Sequence, residues 1–345
     1  MLIVECKGSP YEIGEQHGTA AKTHIDRCIA FYASLFEKTS KLDWSEVQDV
    51  ASTFEPRIQQ AWPEYYEEMK GVAHGSDRPI SDIIALNVRT EIAFGNFSDG
   101  CTSLAWHTEK RAYLGQNWDW KEAQKENLIV LKIDQPGKPA IQMITEAGII
   151  GKIGFNSAGV GVCLNAIRAK GMDPSRLPVH LGLRMALECS TAKQAVEALE
   201  SYGMAAPAHI LIADPDDAIG FEFSSTTTAR LLPDAKGRVV HSNHLLLKHP
   251  GVVDTVWIKD SLFRAPRMTE LSDALQTTDN PNPTWAEVSR LFEDEKNAPA
   301  AICRAQTGES ESATLFNILM DLRQKKAVIR MGKPNQVEET VSLEF

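Results

Sequence analysis

Asp99-Gly100-Cys101-Thr102-Ser103 marks the point at which the pattern of the sequence changes. Before it, a short strand over residues 2–6 is followed by apolar residues that recur at helical spacing. After it, short strand-like runs predominate, and three helical stretches interrupt them. Strands and helices form separate groups and do not alternate. This favours an α+β arrangement of layers over a parallel doubly wound sheet.

Local signals place most of the elements. Helices are predicted to begin at Pro10, at Asp43 or Ser45, and at Pro63. A fourth apolar stretch covers residues 83–94, and later helices are predicted at 178–189, 191–202 and 259–295, the last with a turn-rich break at 277–283. Strands after residue 100 are predicted at 102–106, 112–115, 128–133, 140–145, 159–167, 209–213, 219–223, 229–232, 239–243, 314–319 and 327–331.

Composition excludes several classes of protein. The chain has 345 residues, of which 43% are hydrophobic and 24% charged, as in an average globular protein. No apolar run approaches the roughly 18 residues of a membrane span. The net charge is −10, and residues 1–100 carry −7 of it, with sixteen acidic and nine basic residues. Without a basic stripe, neither nucleic acid nor a membrane is expected as a partner.

The cysteines and the chain ends indicate a cytosolic protein. The six cysteines form no CxxC pair and no zinc-like spacing with histidine, so no metal is expected. The start has no signal-peptide pattern, and the end, Ser342-Leu343-Glu344-Phe345, is no peroxisomal address. We therefore expect a cytoplasmic protein without disulfides.

Two stretches carry candidate chemistry near the change of pattern. Gly100-Cys101 alone is typical of a turn that leads a buried cysteine into a strand. Asp119 follows a strand and stands between Trp118 and Trp120. A buried aspartate there would be costly unless it is hydrogen-bonded or paired with a cation. The alternative is that Asp119 caps the backbone of a turn.

Two further stretches lie later in the chain. His241-Ser242-Asn243-His244 closes a strand, so its two histidines point to opposite faces and a metal site is disfavoured. The amide of Asn243 can donate hydrogen bonds to an oxyanion, or it can simply serve a turn. Arg304, among apolar residues, is either a buried counter-charge for Asp119 or an exposed arginine after a turn.

The order of these and other motifs resembles the fungal acyl-CoA:isopenicillin N acyltransferase family of N-terminal-nucleophile hydrolases. The resemblance covers nearly the whole chain. The matching stretches are Gly8 to Gly14 with His17-Gly18, Trp62 to Glu68, Asp99 to Thr102, Gly115 to Asp119, Lys125 to Leu128, Ile144 to Gly159, Gly220 to Ser224, His241 to His244, Ile302 to Ala305 and Ala313 to Ile318. Their number and order change the interpretation of Cys101 from a buried thiol to a nucleophile.

The resemblance implies a fold and a maturation step. The fold would be an αββα sandwich of two antiparallel sheets between helix layers. The precursor would cut itself at Gly100-Cys101 into an α chain of residues 1–100 and a β chain of residues 101–345, which stay associated. The freed α-amino group of Cys101 would then activate its own thiol, so no separate histidine base is needed.

Roles for other residues follow from the same resemblance. Asp119 would orient the α-amino group of Cys101, and Asn243 would donate to the oxyanion of the tetrahedral intermediate. Arg304 would pair with Asp119 or hold charge in the site, and Ser224 would support the site. No cofactor is implied, since acyl-CoA is a cosubstrate.

Three functions are compatible with these residues. The favoured one is an acyl-CoA-dependent N-acyltransferase that carries the acyl group as a Cys101 thioester. Its acceptor would be isopenicillin N, 6-aminopenicillanic acid or another amine of secondary metabolism. The second is an amidohydrolase that uses water as the acceptor, and the third is an uncut, non-catalytic relative. Lys121 stands where the penicillin enzymes have a second aromatic residue, which leaves the acyl preference open.

Overall fold

The computed structural model describes residues 1–93, 100–256, 258–308 and 310–345. Asp99, and Phe94 at the end of the fourth apolar stretch, lie outside the described residues. Within them the α-helices are α1 (Pro10–Ser40), α2 (Trp44–Ser52), α3 (Glu55–Ala61), α4 (Pro63–Ser76), α5 (Ile80–Asn87), α6 (Arg89–Ile92), α7 (Val179–Leu187), α8 (Ala192–Tyr202), α9 (Ser261–Leu275) and α10 (Trp285–Leu291). A short 3-10 helix spans Glu122–Asn127.

The strands form two sheets. The first has the order β1 (Leu2–Lys7), β4 (Leu128–Asp134), β5 (Ile141–Glu146), β6 (Ile153–Asn156), β7 (Gly161–Ala166), β8 (Ala208–Ala213), β9 (Ala218–Phe223) and β10 (Thr228–Leu231). The second has the order β11 (Arg238–His241), β2 (Gly100–His107), β3 (Ala112–Trp120), β12 (Ala313–Asp321), β13 (Lys326–Met331) and β14 (Glu339–Glu344).

The two sheets pack face to face between helices. Strands β2, β3 and β11 of the second sheet contact β7, β8 and β9 of the first. Helices α1, α7 and α8 contact the first sheet, and α9 contacts β2 and β11 of the second. The expected αββα sandwich is therefore confirmed.

The helix starts follow the capping residues. Ser9 caps α1 in a capping box with Glu12, and Pro10 occupies the first turn. Asp43, rather than Ser45, caps α2, again with a glutamate three residues on. Pro63 begins α4 as predicted.

The expectation of purely antiparallel sheets is wrong at one edge. β1 pairs with β4 in parallel, because the chain passes through the whole helical segment and β2–β3 before it returns to lie beside β1. The last strand, β14, has no counterpart in the sequence prediction. Its apolar residues are only two inward-facing ones, Val341 and Leu343, between charged and polar neighbours at an edge.

Candidate active site

Gly100 and Cys101 begin β2, a strand that lies between β11 and β3. Cys101 pairs with Trp118 of β3, and Gly100 pairs with Asp119. Because successive residues of a strand face opposite sides, the Cys101 and Trp118 side chains share one face and Asp119 lies on the other. Cys101 and Trp118 both belong to the apolar core between the sheets. Cys101 is only 1% exposed in this uncut chain.

Gly100 lies directly against the Asp119 side chain. A Cβ atom at position 100 would lie 3.0 Å from both Cβ and Oδ2 of Asp119. Contacts this short are tighter than nine in ten of those that real Cβ atoms make, and the Asp119 side chain is fully buried. Because glycine has no Cβ, the backbone at residue 100 can approach the Asp119 side chain this closely.

Asp119 belongs to a set of four charges, three of them buried and one, Asp260, half-buried, which we call the Asp119 cluster: Asp119, Asp260, Arg264 and Arg304. Arg304 Nε lies 3.3 Å from Asp119 Oδ2, and its Nη2 donates to Asp260 Oδ2. Arg264 Nε donates to the same Asp260 oxygen at 2.6 Å. The cluster pairs two carboxylates with two guanidinium groups, so its charge is balanced.

A hydrogen bond from Thr314 and the burial of the side chain also affect the Asp119 carboxylate. Thr314 Oγ1 donates to Asp119 Oδ1 at 2.7 Å and accepts from the Arg304 backbone N–H at 3.0 Å. Burial raises the pKa of Asp119, and the charges of Arg304 and Arg264 only partly oppose this, so the pKa stays above its usual value. Asp119 is thus a desolvated carboxylate beside the backbone that precedes the thiol.

Arg264 links this cluster to Cys101 and Asn243. Its Nη1 donates to the Cys101 carbonyl oxygen and to Thr102 Oγ1, the latter at 2.9 Å. Its Nη2 donates to Asn243 Oδ1 at 2.7 Å. The guanidinium is fully buried, so its rigid fork fixes the backbone of residue 101 and the Asn243 amide relative to each other.

Asn243 faces Cys101 with its amide oxygen. Asn243 Oδ1 accepts from the Cys101 backbone N–H at 2.8 Å as well as from Arg264, and Nδ2 donates to the Ala166 carbonyl at 3.0 Å. Two donors at one oxygen fix the orientation of the amide. In the uncut chain Asn243 therefore holds the nitrogen of residue 101, and its role as an oxyanion donor stays a prediction.

Ser224 lies in a different place. Its hydroxyl accepts from the backbone N–H groups of Thr226 and Thr227 at 3.1 and 3.0 Å and contacts Thr227 Oγ1 at 2.8 Å. Within the described part of the chain, its hydrogen bonds close this turn after β9 and do not reach Cys101. The structure brings Cys101, Asp119, Asn243 and Arg304 together and leaves Ser224 outside the group.

Three residues of the site have no role in the sequence analysis: Asp260, Arg264 and Thr314. Arg264 offered one local signal, since it stands in the apolar run Ser261-Leu262-Phe263-Arg264-Ala265, four residues after Asp260. That spacing allows the ion pair along α9 that the structure contains. The signal identifies a pair but not its contact with Cys101, which is 163 residues away in sequence.

A second buried charge cluster lies on the thiol face of β3. We call it the Glu146 cluster: Tyr32, Arg89, Glu146 and Lys152. Glu146 accepts from Arg89 Nη2 at 2.9 Å, from Lys152 Nζ and from the Tyr32 hydroxyl. Burial raises the pKa of Glu146, but Arg89 and Lys152 outweigh burial and hold the pKa well below its usual value. Lys152 Nζ lies 3.7 Å from the centre of a Trp118 ring.

Within the described ranges, no group of three or more histidine, cysteine, aspartate or glutamate side chains is arranged to hold a metal ion. No described helix combines the length and the apolar character that crossing a membrane requires. The six cysteines all lie in the described part, and no disulfide joins them.

Comparison with known proteins identifies relatives along the whole chain. Residues 106–336 match the family model described as acyl-coenzyme A:6-aminopenicillanic acid acyl-transferase. The chain is 45% identical over 350 residues to the acyl-coenzyme A:6-aminopenicillanic-acid-acyltransferase 40 kDa form of Emericella nidulans, with 100% of this chain and 96% of that protein covered.

A solved structure shares the fold at much lower identity. A mutant conjugated bile acid hydrolase from Clostridium perfringens superposes with a TM-score of 0.52 at 14% identity. The superposition covers 71% of this chain and 92% of the hydrolase. At this identity the likeness supports the sandwich fold and nothing about the substrate.

Proposed function

Because the chain belongs to the acyl-coenzyme A:6-aminopenicillanic acid acyl-transferase family, we propose that it is a self-processing N-terminal-nucleophile acyltransferase. It cuts itself between Gly100 and Cys101, and Cys101 then carries an acyl group from acyl-CoA to an amine. One observation carries the proposal. The Gly100–Cys101 peptide lies against Asp119, with its nitrogen held by Asn243 and the next carbonyl held by Arg264.

Self-cleavage would proceed by an acyl shift. The Cys101 thiol attacks the Gly100 carbonyl carbon, the new C–S bond forms, and the C–N bond breaks as the nitrogen takes up the thiol proton. Water then hydrolyses the resulting thioester, leaving the Gly100 carboxylate and the original thiol. Asn243 Oδ1 fixes the N–H direction, and the absence of a Cβ at Gly100 lets the backbone accept the geometry of attack.

The cut creates the catalytic base. A free α-amino group has a reference pKa of about 7.7–8.0, so it can take the proton of its own thiol near neutral pH. The thiolate attacks the thioester carbonyl of acyl-CoA, and CoA leaves as a thiol with that proton. The acceptor amine then attacks the enzyme thioester and gives one proton to the α-amino group of Cys101. That group passes the proton to the departing Cys101 thiolate, so the amide product and the Cys101 thiol are released.

The Asp119 cluster suits both stages. Before the cut, Asp119 lies beside the bond that breaks; afterwards its carboxylate is placed to stabilise the ammonium form of the new amine. Arg304 keeps that carboxylate from being an uncompensated buried charge. Asn243 Oδ1 would accept a hydrogen bond from the nitrogen of residue 101 in both stages. A hydrogen bond to the oxyanion would come from Asn243 Nδ2.

The two product chains would stay together. The segment before residue 100 contributes β1, which pairs with β4 over six residue pairs. Arg89 and Tyr32 meet Glu146 across the cut, and Glu68 meets the buried Arg184 at 2.8 Å. We therefore propose a heterodimer of residues 1–100 and 101–345. Its compartment would be the cytosol, which keeps thiols such as these six cysteines reduced.

The acceptor is proposed from the relative's name. 6-Aminopenicillanic acid, which appears in the name of the Emericella nidulans protein, is an amine attached to a β-lactam, and isopenicillin N is its acylated relative. A penicillin-type amine is therefore the first acceptor to test. Hydrolysis by the same thioester, with water as the acceptor, is the competing activity.

Product analysis tests this proposal. Purified protein is incubated with phenylacetyl-CoA, with or without 6-aminopenicillanic acid, and the products are identified by mass spectrometry. We expect an amide that forms only when the amine is present, and none with Cys101→Ala. Cys189→Ala, at a half-buried cysteine beside α7, is the matched control and should behave as wild type. Free phenylacetate as the sole product would establish a hydrolase, and amide formation by Cys101→Ala would overturn the mechanism.

A further inference from the structure

A layer of polar side chains crosses the space between the two sheets close to the candidate site. On the second sheet, Ser103 of β2 pairs with His241 of β11. On the first sheet, Asn165, His209 and Glu222 are neighbours across β7, β8 and β9. We call these five residues the inter-sheet layer. Ser103 is two residues from Cys101 and His241 is two residues from Asn243, so the layer lies one strand repeat behind both.

Direct contacts join the two sheets within the layer. Ser103 Oγ donates to Asn165 Oδ1 at 2.7 Å. The His241 ring stacks on the His209 ring with centres 3.6 Å apart and planes 13° apart. His209 Nδ1 lies 2.9 Å from Asn165 Oδ1 and donates to it. Burial and the neighbouring His241 hold the pKa of His209 well below its usual value, so this ring is neutral.

His241, in contrast, has an acceptor at each ring nitrogen. Nδ1 lies 2.8 Å from the Ser242 carbonyl oxygen, and Nε2 lies 2.8 Å from Glu222 Oε1. A carbonyl and an ionised carboxylate accept hydrogen bonds, so each ring nitrogen of His241 faces an acceptor. The contact between His241 and Glu222 is completely buried, at 0% exposure for both side chains.

Glu222 also fixes the loop that follows Asn243. It accepts from the backbone N–H groups of Leu246 at 2.6 Å and Leu247 at 3.0 Å, and from His249 Nε2 at 3.1 Å. Burial raises the pKa of Glu222, but these hydrogen bonds and the His241 charge outweigh burial and lower it. One carboxylate thus contacts residues on both sides of Asn243, the His241 ring before it and the Leu246 backbone N–H after it.

We infer that Glu222 and His241 are positioning residues, which hold Asn243 Oδ1 against the nitrogen of Cys101. Neither residue reaches the scissile bond; they act through the β11 end and the loop that carry Asn243. Glu222 lies in Gly220 to Ser224, one of the stretches that resemble the acyltransferase family. Through Asn243 it would support the site, a role that the contacts of Ser224 do not give that residue. The geometric claim stands on the contacts alone, whereas its kinetic consequence rests on the proposed acyl transfer.

The experiment uses Glu222→Gln, which keeps the shape and removes the charge. Its matched control is Asp214→Asn, which removes another buried carboxylate, one that caps α8 through the Ala192 N–H at 2.7 Å. Both are made in wild type and in uncut Cys101→Ala. In the uncut protein, NMR measures hydrogen exchange of the amide at residue 101. In wild type, the rates of cutting and transfer are measured.

We expect Glu222→Gln to speed exchange at residue 101 by roughly tenfold or more and to lower kcat by roughly tenfold to a hundredfold, with KM little changed. Asp214→Asn should leave both unchanged. His241→Phe, which keeps the stacked ring but removes its N–H donors, should reproduce Glu222→Gln, and the double variant should be no worse than either. This lack of additivity is the signature of one shared function.

Two results would overturn the inference. One is unchanged exchange at residue 101 in Glu222→Gln or in His241→Phe. The other is an equal loss of kcat in Asp214→Asn, which would reflect a general effect of buried charge. The exchange measurement needs no catalysis. If wild type neither cuts nor transfers, the proposed function fails, and the exchange data still decide whether Glu222 positions Asn243.

Discussion

The two buried charge clusters lie on opposite faces of β3 and differ in which part of the chain supplies them. The Asp119 cluster comes entirely from residues after the proposed cut and touches the backbone of Cys101. The Glu146 cluster combines Tyr32 and Arg89 from before the cut with Glu146 and Lys152 from after it. Similar charged groups therefore lie on both faces of β3, but only the Glu146 cluster spans the proposed cut.

The pKa shifts of the two central carboxylates have opposite directions. In the Asp119 cluster, burial leaves the pKa of Asp119 raised in spite of two arginines, as in a site whose carboxylate is needed for chemistry. In the Glu146 cluster, two cations hold the pKa of Glu146 well below its usual range, as in a structural ion pair. The comparison favours a part in the proposed reaction for the first cluster and a structural part across the proposed cut for the second.

Removing the Glu146 charge should have the largest effect, and on stability. Glu146→Gln leaves Arg89 and Lys152 buried without their carboxylate, which should lower the free energy of unfolding by roughly 3–5 kcal/mol. Denaturant titration of the uncut Cys101→Ala protein measures it. The matched control is Glu64→Gln, whose exposed pair with Lys138 also crosses the cut and should contribute less than about 1 kcal/mol. Equal losses in the two variants would remove the distinction between the clusters.

Asp119→Asn should affect the reaction and leave the fold intact. It keeps the volume but removes the charge beside Gly100, so cutting and turnover should fall by roughly a hundredfold to a thousandfold. Asp321→Asn, at a buried aspartate of β12 that pairs with Arg111 at 2.7 Å, is the control and should keep normal rates. Rates are read from gel time courses and product formation, with circular dichroism for the fold. Normal turnover in Asp119→Asn would show that Asp119 only caps the backbone of a turn.

Glu91 is a buried carboxylate for which the described residues provide no salt bridge. Its Oε1 accepts from the Val179 N–H at 2.8 Å, and its Oε2 has no hydrogen-bond partner among the described residues. Burial raises the pKa of Glu91 to about 7. The folded state therefore binds a proton more tightly than the unfolded state, and stability is lost as pH rises from about 4.5 through 7.

Glu91→Gln should remove that loss, because glutamine resembles the protonated acid. At pH 8 we expect the variant to be more stable than the uncut parent by roughly 3 kcal/mol, and at pH 4 to equal it. Thermal and denaturant unfolding across this pH range measure the difference. A constant difference at every pH would show that the gain has another cause.

Lys121 should have the smallest effect. It is half-buried, pairs with Glu311 at 2.9 Å and lines a cleft with Phe31 and Lys38. Lys121→Phe should raise kcat/KM for phenylacetyl-CoA by roughly tenfold relative to a short aliphatic acyl-CoA, because a ring contact replaces a hydrated charge. Lys125→Phe, at a similar lysine paired with Glu338, is the control. Equal changes for both donors would place Lys121 outside the acyl pocket.

The sequence predicts those parts of the fold that depend on local signals. Helix starts at Pro10, Asp43 and Pro63 follow from capping chemistry, and the helix-to-strand change at Gly100 is where β2 begins. The parallel pairing of β1 with β4 could not be predicted from the sequence, because it joins residues more than a hundred positions apart. Local periodicity also carries no information on the direction in which strands pair.

The candidate site divides in the same way. Cys101, Asp119, Asn243 and Arg304 were found from motifs and the family resemblance, and the structure brings them together. Arg264 and Glu222 have no role in the sequence analysis, since their contacts with Cys101 and His241 are tertiary contacts that no spacing reveals. The orientation of the Asn243 amide was missed for a related reason, because it is set by two donors that lie far away in sequence.

The central claim, that Cys101 cuts its own chain, is tested most directly by the intact mass of the purified protein. Wild type, expressed in a host without relatives, should yield two co-purifying chains of 100 and 245 residues from the 345-residue precursor. Cys101→Ala should remain one chain of 38.1 kDa. A wild-type protein that stays whole, or a Cys101→Ala protein cut at the same bond, would contradict it.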